Sequence, residues 1–273
     1  MDYIQQAIDK AREERQGNIG DEKEVSIAPG QASPIRKPIL DEGIPAINYT
    51  TTRQVELSNE VLKNNHIVAG FQHDKEAEVY RQLRTQVLQK LRANNWKTLA
   101  VTSPHESAGK TTTAVNLAVS LSKEANQTVL LVDLDLGSPS VHKVLGFDVN
   151  GGLVDHLKDE KNIAELLINP GLERLVILPS NEDERYSSEI LSTPKMQSVL
   201  KDLTSRYESR IIIFDIPSLL VNDDALIFTP YVDAALLVVE DGVTTSQEIE
   251  QSLQMLEGTN LLGTVLNKAG QHV

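Results

Sequence analysis

The sequence predicts an α/β fold in which a mostly parallel sheet carries helices on both faces. From residue 96 onward, continuous runs of Val, Ile and Leu alternate with segments of helical periodicity. Such uninterrupted apolar runs are typical of parallel strands that are buried on both faces. In addition, Gly109, Lys110 and Thr111 stand between the first apolar run and the helical pattern that follows it. A glycine-containing turn between a strand and a helix is typical of a phosphate-binding loop, and we therefore expect a P-loop NTPase.

Composition limits the classes of protein that this chain could belong to. Its 273 residues are 40% hydrophobic, which is enough for one full-sized core with appendages. No apolar run approaches the ~18 residues of a membrane span, and the polar first residues do not form a signal peptide, so we expect a cytoplasmic protein without a transmembrane segment. The absence of cysteine excludes disulfides, and the net charge of -13 argues against non-specific nucleic-acid binding.

The first part of the chain is predicted to be an extension. Residues 2–16 have the spacing of a short charged helix, which either frays in solution or docks on a partner. Residues 17–45 contain several Pro and Gly residues and are interpreted as a linker. Residues 53–70 are ambiguous, with a possible short helix at 55–62. We therefore predict an N-terminal helix and flexible, partly disordered linker at residues 1–74, followed by one domain at 75–273.

That domain is expected to begin with a long helix from Lys75. One face of the helix is apolar, with Ala77, Tyr80, Leu83, Val87, Leu88 and Leu91. Glu78, Arg81 and Arg84 lie three residues apart on a neighbouring face. These charges either pair within the helix, as residues three apart can, or pair between subunits.

The remaining elements follow in alternation. We predict strands at residues 97–102, 128–134, 174–178, 210–216, 234–240 and 261–266, and later helices at 196–207 and 246–256. In a parallel sheet, ligands bind beyond the carboxyl ends of the strands. The first strand leads to Lys110 and Thr111, the second to Asp133 and Asp135, and the fourth to Asp215.

These residue types suit Mg²⁺ and a nucleotide. Backbone N–H groups and the helix dipole favour a phosphate at the start of the helix that Lys110 opens. Lys110 can reach the β- and γ-phosphates, while Thr111 and Asp215 can hold Mg²⁺. The first glycine of the usual G-x-x-x-x-G-K-[ST] pattern is replaced by Pro104. The alternative is a capped helix start with a surface lysine and strand-end carboxylates that cap helices.

Asp133 and Asp135 point in the same direction if the strand is extended. One carboxylate could then hold the water shell of Mg²⁺ while the other orients or deprotonates an attacking hydroxyl. We assign Asp133 as the general-base candidate and Asp135 as the metal-side group. The alternative is that one of them only hydrogen-bonds the following loop at residues 137–140.

Together, these stretches resemble the bacterial tyrosine kinases of capsule and exopolysaccharide production. Residues 102–113 are similar to the Walker A segment of that family, 130–140 to its Walker A′ segment and 212–217 to its Walker B segment. Residues 78–84 are similar to its E-x-x-R-x-x-R helix, and 188–192 to its S/P-E-L-L-S segment. The opening helix and linker resemble the exosortase-associated branch of the family.

The resemblance implies an Mg·ATP-dependent, tyrosine-kinase-like phosphotransferase or ATPase. It implies a membrane chain-length or polysaccharide export protein as partner, recruitment to the inner face of the plasma membrane, and a homo-oligomer that forms through Glu78, Arg81 and Arg84. It also suggests an adenine contact for the Asn267 side chain. The predicted catalytic residues are Lys110, Asp133 and Asp135; the nucleotide-binding residues are Ser107, Ala108, Gly109, Lys110, Thr111, Thr112 and Asn267; and the metal-binding residues are Thr111, Asp135 and Asp215.

The chain departs from the family pattern at three points. Ser107 replaces a glycine of the phosphate loop, which predicts weaker nucleotide binding, and Ser218 replaces the second proline of Walker B. The last tyrosine, Tyr231, is expected in the core, so no C-terminal tyrosine cluster is expected to be phosphorylated. These departures leave open an ATP-binding regulatory scaffold. A positioning ATPase of the septum-site or partition type is also open, although Pro104 and His105 stand where those proteins carry an extra lysine.

Overall fold

The computed structural model describes residues 52–71, 75–159, 161–181, 186–207 and 209–270. Within these residues, eight strands form one sheet in the order β1-β4-β5-β3-β6-β2-β7-β8. Neighbouring strands are parallel except for the pair β4–β5. The strands are β1 Arg53–Gln54, β2 Thr98–Thr102, β3 Thr128–Asp133, β4 Ile168–Asn169, β5 Leu175–Leu178, β6 Arg210–Asp215, β7 Ala234–Glu240 and β8 Asn260–Asn267.

Helices cover both faces of the sheet, which confirms the predicted fold class. Side chains of β2 alternate between the two faces, with Leu99 and Val101 in one apolar core and Ala100 in the other. The helices are α1 Asn59–Asn64, α2 Lys75–Asn94, α3 Lys110–Leu121, α4 Val141–Leu145, α5 Leu153–Asp159, α6 Ile163–Leu166, α7 Ser187–Leu191, α8 Pro194–Ser205, α9 Asp224–Phe228 and α10 Ser246–Met255. Among the described residues, none of the helices combines the length and apolar character that crossing a membrane requires.

Local sequence signals explain where the later helices begin. Thr193 accepts a hydrogen bond from the backbone N–H of Met196, and Pro194 occupies the first turn of α8. At α10, the side chain of Thr245 accepts from the backbone N–H of Glu248, whose carboxylate accepts from the backbone N–H of Thr245. These caps satisfy N–H groups that have no partner within their helix.

The packed domain begins before the predicted boundary at residue 75. Strand β1 pairs with β4, and Leu62 and Ile67 are buried in the core beside α3. The side chain of Asn116, on α3, accepts hydrogen bonds from the backbone N–H groups of Val68 and Ala69 at 2.8 and 2.9 Å. This segment therefore obtains its backbone partners from a distant side chain rather than from a regular element. The helix predicted at 2–16 lies outside the described residues.

Two other details differ from the expectations. The possible helix at 55–62 is α1, which begins at Asn59. Tyr231 was expected in the core, but 42% of its surface is exposed. This expectation is wrong because a 3-10 turn at Thr229–Tyr231 brings the ring to the surface, where its hydroxyl accepts a hydrogen bond from Gln197 at 3.0 Å.

Candidate nucleotide-binding site

The predicted site residues from three strands lie at one edge of the sheet. Strands β3, β6 and β2 are neighbours, and in this register Asp133 of β3 lies beside Asp215 of β6. Lys110 begins α3, directly after the loop that leaves β2. Parallel strand order therefore brings together side chains that are far apart in sequence.

The phosphate loop turns sharply before α3. Gly109 has a φ of +93°, and a Cβ there would overlap the Asn267 amide group. The positive φ favours glycine at this position, and a larger residue would also displace the Asn267 side chain. Ser107 also has a positive φ, of +63°, which costs a non-glycine residue about 1 kcal/mol or more. The position where the family pattern has glycine is thus held in a glycine-like conformation by an exposed serine.

Lys110 lies in a buried carboxylate cluster. Its Nζ is 2.6 Å from Asp135 Oδ2 and 3.7 Å from Asp215 Oδ1. Burial alone would lower the pKa of Lys110, but Asp215 and Asp135 hold it above its ordinary value. Lys110 is therefore a buried cation and not a surface lysine, which excludes one alternative that the sequence left open.

Thr111 connects the loop to Walker B. Its hydroxyl donates to Asp215 Oδ2 at 2.6 Å and lies 2.9 Å from the Ser140 hydroxyl. The other carboxylate oxygen, Asp215 Oδ1, is buried and has no hydrogen-bond partner. Burial raises the pKa of Asp215, and Lys110 offsets only part of that effect. A buried carboxylate oxygen without a donor is suited to accept a cation.

The donor set fits Mg²⁺. The Thr111 hydroxyl and the carboxylates of Asp135 and Asp215 are oxygen ligands of the kind that Mg²⁺ prefers. No group of three or more His, Cys, Asp or Glu side chains in the described part of the chain is arranged to hold a metal ion. An Mg²⁺ ion at this site would therefore complete its shell with water and phosphate oxygens, as is usual for this ion.

Asp133 is fully buried and lies beside Asp215 in the strand register. Its Oδ2 accepts from the backbone N–H groups of Ser140 and Val141 at 3.0 and 2.9 Å, while Oδ1 has no partner. Burial and the neighbouring Asp215 raise the pKa of Asp133 above its ordinary value. Asp133 thus anchors the start of α4, and its role as a general base stays a prediction that depends on Oδ1.

Asp135 also bonds the loop that follows it. Its Oδ1 accepts from the backbone N–H of Ser138 at 3.1 Å, while Oδ2 faces Lys110. The alternative that one of the two acids hydrogen-bonds this loop is therefore realised by both Asp133 and Asp135. The second oxygen of Asp135, Oδ2, faces Lys110. The second oxygen of Asp133, Oδ1, has no hydrogen-bond partner.

The other predicted nucleotide contacts lie around the loop. Asn267, at the end of β8, donates from Nδ2 to the carbonyl oxygen of Ala108 at 2.9 Å. Ala108 is buried and Thr112 is half-buried in the first turn of α3. The structure therefore places Asn267 against the phosphate loop, and its contact with adenine stays a prediction.

The charged row on α2 does not belong to this site. Arg81 donates to Glu78 within the helix at 2.8 Å, as the first alternative expected. Arg84 pairs with Glu124 at 3.1 Å and donates to the carbonyl oxygen of Ser120 at 3.2 Å. These contacts lie within one chain, and pairing between subunits stays a prediction.

Sequence reasoning missed two contacts that shape the site. Ser140 contacts the Thr111 hydroxyl, and His105, in the phosphate loop, lies 3.3 Å from the Glu248 carboxylate. The serine immediately before α4 is a recognisable capping position, which could have suggested Ser140. No local pattern indicates the His105–Glu248 contact, because it depends on where α10 lies.

Comparison with known proteins indicates the family of this chain. A family model described as an AAA domain matches residues 96–259. The tyrosine-protein kinase YwqD of Bacillus subtilis (strain 168) is 28% identical over 193 residues, which cover 70% of this chain and 80% of that protein. The putative tyrosine-protein kinase CapB of Staphylococcus aureus is 24% identical over 212 residues, which cover 76% and 92% respectively.

Solved structures share the fold. The chimerical protein CapA2B2 has a TM-score of 0.69 at 24% identity, with 80% of this chain and 94% of that chain covered. The septum site-determining protein MinD of Pyrococcus horikoshii OT3, which was solved with Mg-ADP, has a TM-score of 0.54 at 26% identity and covers 64% of this chain and 71% of its own. The likeness to CapA2B2 thus extends over more of this chain than the likeness to MinD does.

Proposed function

We propose that this chain, which belongs to the AAA domain family and within it to the bacterial tyrosine kinases, binds Mg·ATP and transfers its γ-phosphoryl group to a tyrosine hydroxyl or to water. The observation that carries the proposal is the buried cluster of Lys110, Thr111, Asp135 and Asp215. The contacts of 2.6 Å from Lys110 to Asp135 and from Thr111 to Asp215 join three strand ends. In addition, Asp215 Oδ1 is buried without a hydrogen-bond partner, which leaves a carboxylate oxygen able to accept a cation.

Each residue has a distinct part in this chemistry. Lys110 would leave Asp135 to hold the transferred phosphate, where its positive charge opposes the charge that develops on the phosphate oxygens. Thr111, Asp135 and Asp215 would hold Mg²⁺, which supplies charge neutralisation on the β- and γ-phosphates when it is bound. Asp133, through Oδ1, would accept the proton of the attacking hydroxyl, and its raised pKa suits that task.

ATP turnover tests this proposal directly. The purified chain would be assayed for phosphate release at millimolar Mg·ATP, with Lys110→Ala as the disabling change and Lys201→Ala as the matched control. Lys201 is an exposed lysine on α8. Turnover that falls at least about 100-fold in Lys110→Ala and is unchanged in Lys201→Ala supports the proposal. Absence of nucleotide binding in the unmodified chain contradicts it.

The biological setting is also a proposal. The bacterial tyrosine kinases that the sequence resembles act in capsule and exopolysaccharide production. We infer that this chain regulates polysaccharide chain length or export and is recruited to the inner face of the plasma membrane by a membrane partner. Incubation with the cytoplasmic segment of that partner, followed by mass spectrometry for phosphotyrosine, tests both the activity and the partner. Equal turnover with and without the segment would contradict recruitment as an activating step.

One observation favours a second candidate, an ATP-binding scaffold without kinase activity. Ser107 holds the loop in a left-handed conformation that glycine adopts at lower cost. A strained loop is expected to bind nucleotide more weakly and to position it less well. In this case ATP would stabilise an oligomer through Glu78, Arg81 and Arg84. Nucleotide-dependent assembly without phosphotyrosine on any partner would favour the scaffold over the kinase.

A positioning ATPase has less support. Those proteins carry an early loop lysine, whereas this chain has Pro104 and His105 at the corresponding positions. His105 faces Glu248 of its own chain at 3.3 Å. Its side chain is therefore directed at α10, and it does not replace a lysine that reaches across a dimer.

A further inference from the structure

The structure contains a pair of buried serine hydroxyls between the phosphate loop, which follows β2, and the Walker B loop, which follows β6. Ser103 begins the phosphate loop after β2, and Ser218 follows Walker B after β6. Their Oγ atoms are 3.0 Å apart, and both residues are almost completely buried, with 0% and 2% of their surfaces exposed. The sequence marks Ser218 as a departure, since the family pattern has proline at this position.

The hydrogen-bond direction in the pair is determined by a third partner. The Ser103 hydroxyl lies 2.6 Å from the carbonyl oxygen of His105, which can only accept. A serine hydroxyl has one hydrogen to donate. Ser103 therefore donates to His105, and Ser218 donates to Ser103. The hydroxyl of Ser218 is thus the first donor of a short relay that ends on the backbone of the phosphate loop.

Backbone contacts already hold the same two loops side by side. The N–H groups of Leu219 and Leu220 donate to the carbonyl oxygens of Ser103 and Pro104 at 2.8 and 3.0 Å. These bonds fix the start of the phosphate loop but do not reach His105. The relay adds the next attachment point, closer to the strained residue Ser107 and to Gly109.

We propose that Ser218 is a positioning residue for nucleotide binding, which orders the phosphate loop through Ser103 and His105. Proline at 218 stiffens the Walker B loop itself and has no hydroxyl to donate. The serine in this chain instead ties that loop to the phosphate loop. This inference rests on the proposed function, because an ordered phosphate loop matters only if the loop binds a nucleotide.

The experiment compares Ser218→Ala, Ser103→Ala and the double variant with a matched control, Ser122→Ala. Ser122 is also buried and donates one hydrogen bond, of 2.9 Å, to Val119, but it lies at the far end of α3. Two quantities are measured on the full chain: the Kd of a fluorescent Mg·ADP analogue, and backbone amide exchange over residues 103–109 without nucleotide. Thermal melts confirm that each variant is folded.

We expect Ser218→Ala to raise the Kd about three- to tenfold, as the loss of one net hydrogen bond would, and to speed amide exchange in the loop. Ser103→Ala removes both bonds of the relay and should raise the Kd at least as much, and the double variant should resemble Ser103→Ala because the two hydroxyls act in series. Ser122→Ala should match the unmodified chain in both measurements.

Two results overturn the inference. One is loop exchange and Kd in Ser218→Ala that equal those of Ser122→Ala. The other is a double variant whose Kd change is the product of the two single changes. If Ser218→Ala does not fold, Ser103→Ala and the exchange measurement carry the test. If the unmodified chain binds no nucleotide while loop exchange still responds to Ser218→Ala, the proposed function fails and the relay stands.

Discussion

The first turn and the second half of α3 bury polar groups for different purposes. At its first turn, Lys110 and Thr111 meet carboxylates of which Asp133 and Asp215 each keep one oxygen without a hydrogen-bond partner. In its second half, Asn116 is fully used, since it accepts from Val68 and Ala69 and donates to the carbonyl oxygens of His66 and Thr112. Buried charge with unused oxygen atoms indicates a site for a ligand, whereas a neutral group with complete partners indicates a structural clamp.

Replacement of Lys110, in the first turn of α3, should have the largest effect on stability. In Lys110→Ala, removal of the cation leaves Asp133, Asp135 and Asp215 close together, and we expect the free energy of unfolding to fall by about 3–5 kcal/mol near neutral pH. Urea unfolding measures this loss. An unchanged midpoint would show that the cluster is solvated and not buried.

The same variant has a characteristic pH dependence. Burial already raises the pKa values of Asp133 and Asp215 above their unfolded-state values, so the folded state binds more protons than the unfolded state. Stability from these groups therefore increases as the pH falls towards their unfolded-state pKa. Lys110→Ala should recover part of its lost stability between neutral pH and about pH 5. A further loss of stability over that range would contradict the raised pKa values of Asp133 and Asp215.

Replacement of Asn116, in the second half of α3, should lower the stability by a smaller amount. Asn116→Ala leaves the buried N–H groups of Val68 and Ala69 without acceptors, which should cost about 2–4 kcal/mol. Nucleotide affinity should change little, because the clamp lies beyond the first turn of α3. Asn94→Ala is the control, since the exposed Asn94 bonds only within its own helix. Equal destabilisation of the two variants would show that Asn116 is not a clamp.

Ser107→Gly should stabilise the phosphate loop before α3, because it relieves backbone strain. Glycine adopts the φ of +63° without steric cost, while its greater freedom in the unfolded chain offsets part of the gain, so we expect a stabilisation of about 0.5–1 kcal/mol. Mg·ADP should also bind more tightly. Thermal unfolding and fluorescence titration measure the two effects, and weaker binding in the variant would mean that the serine side chain contacts the nucleotide.

The last prediction concerns the surface beside the second half of α3, where the expected effect is no larger than that of Ser107→Gly. Arg84 and Glu124 form a half-buried ion pair at 3.1 Å, and Arg84→Ala should cost the monomer only about 0.5–1 kcal/mol. If Arg84 also pairs between subunits, the variant should shift sedimentation towards monomer at concentrations where the unmodified chain assembles. A larger change in monomer stability with no change in assembly would assign Arg84 to the fold alone.

Sequence reasoning succeeded where the signal was local and failed where it depended on packing. The strand ends that carry Asp133 and Asp215 were predicted because buried parallel strands appear as continuous apolar runs. Strands β1 and β4 have only two residues each, too few to show any pattern. Asn116 gave no signal either, because a single asparagine within a helical segment does not reveal which backbone groups will lie opposite it.

The predicted site was also incomplete for a physical reason. The motif residues Lys110 and Thr111 were found from their order in the chain. By contrast, Asp133 and Asp135 accept from backbone N–H groups of the following loop and of the start of α4, and the sequence does not specify the path of that loop. The relay through Ser218 was likewise not predicted, since a serine at a proline position indicates only a departure.

The contact between Asn267 and Ala108 has a consequence for how the protein is made. The two residues are separated by 159 positions. The phosphate loop therefore emerges from the ribosome long before Asn267, which lies against it, is added to the chain. A nascent chain that already contains Lys110, Asp135 and Asp215 still lacks the side chain that lies against Ala108. On the proposed function, full engagement of a nucleotide would wait until translation has passed β8.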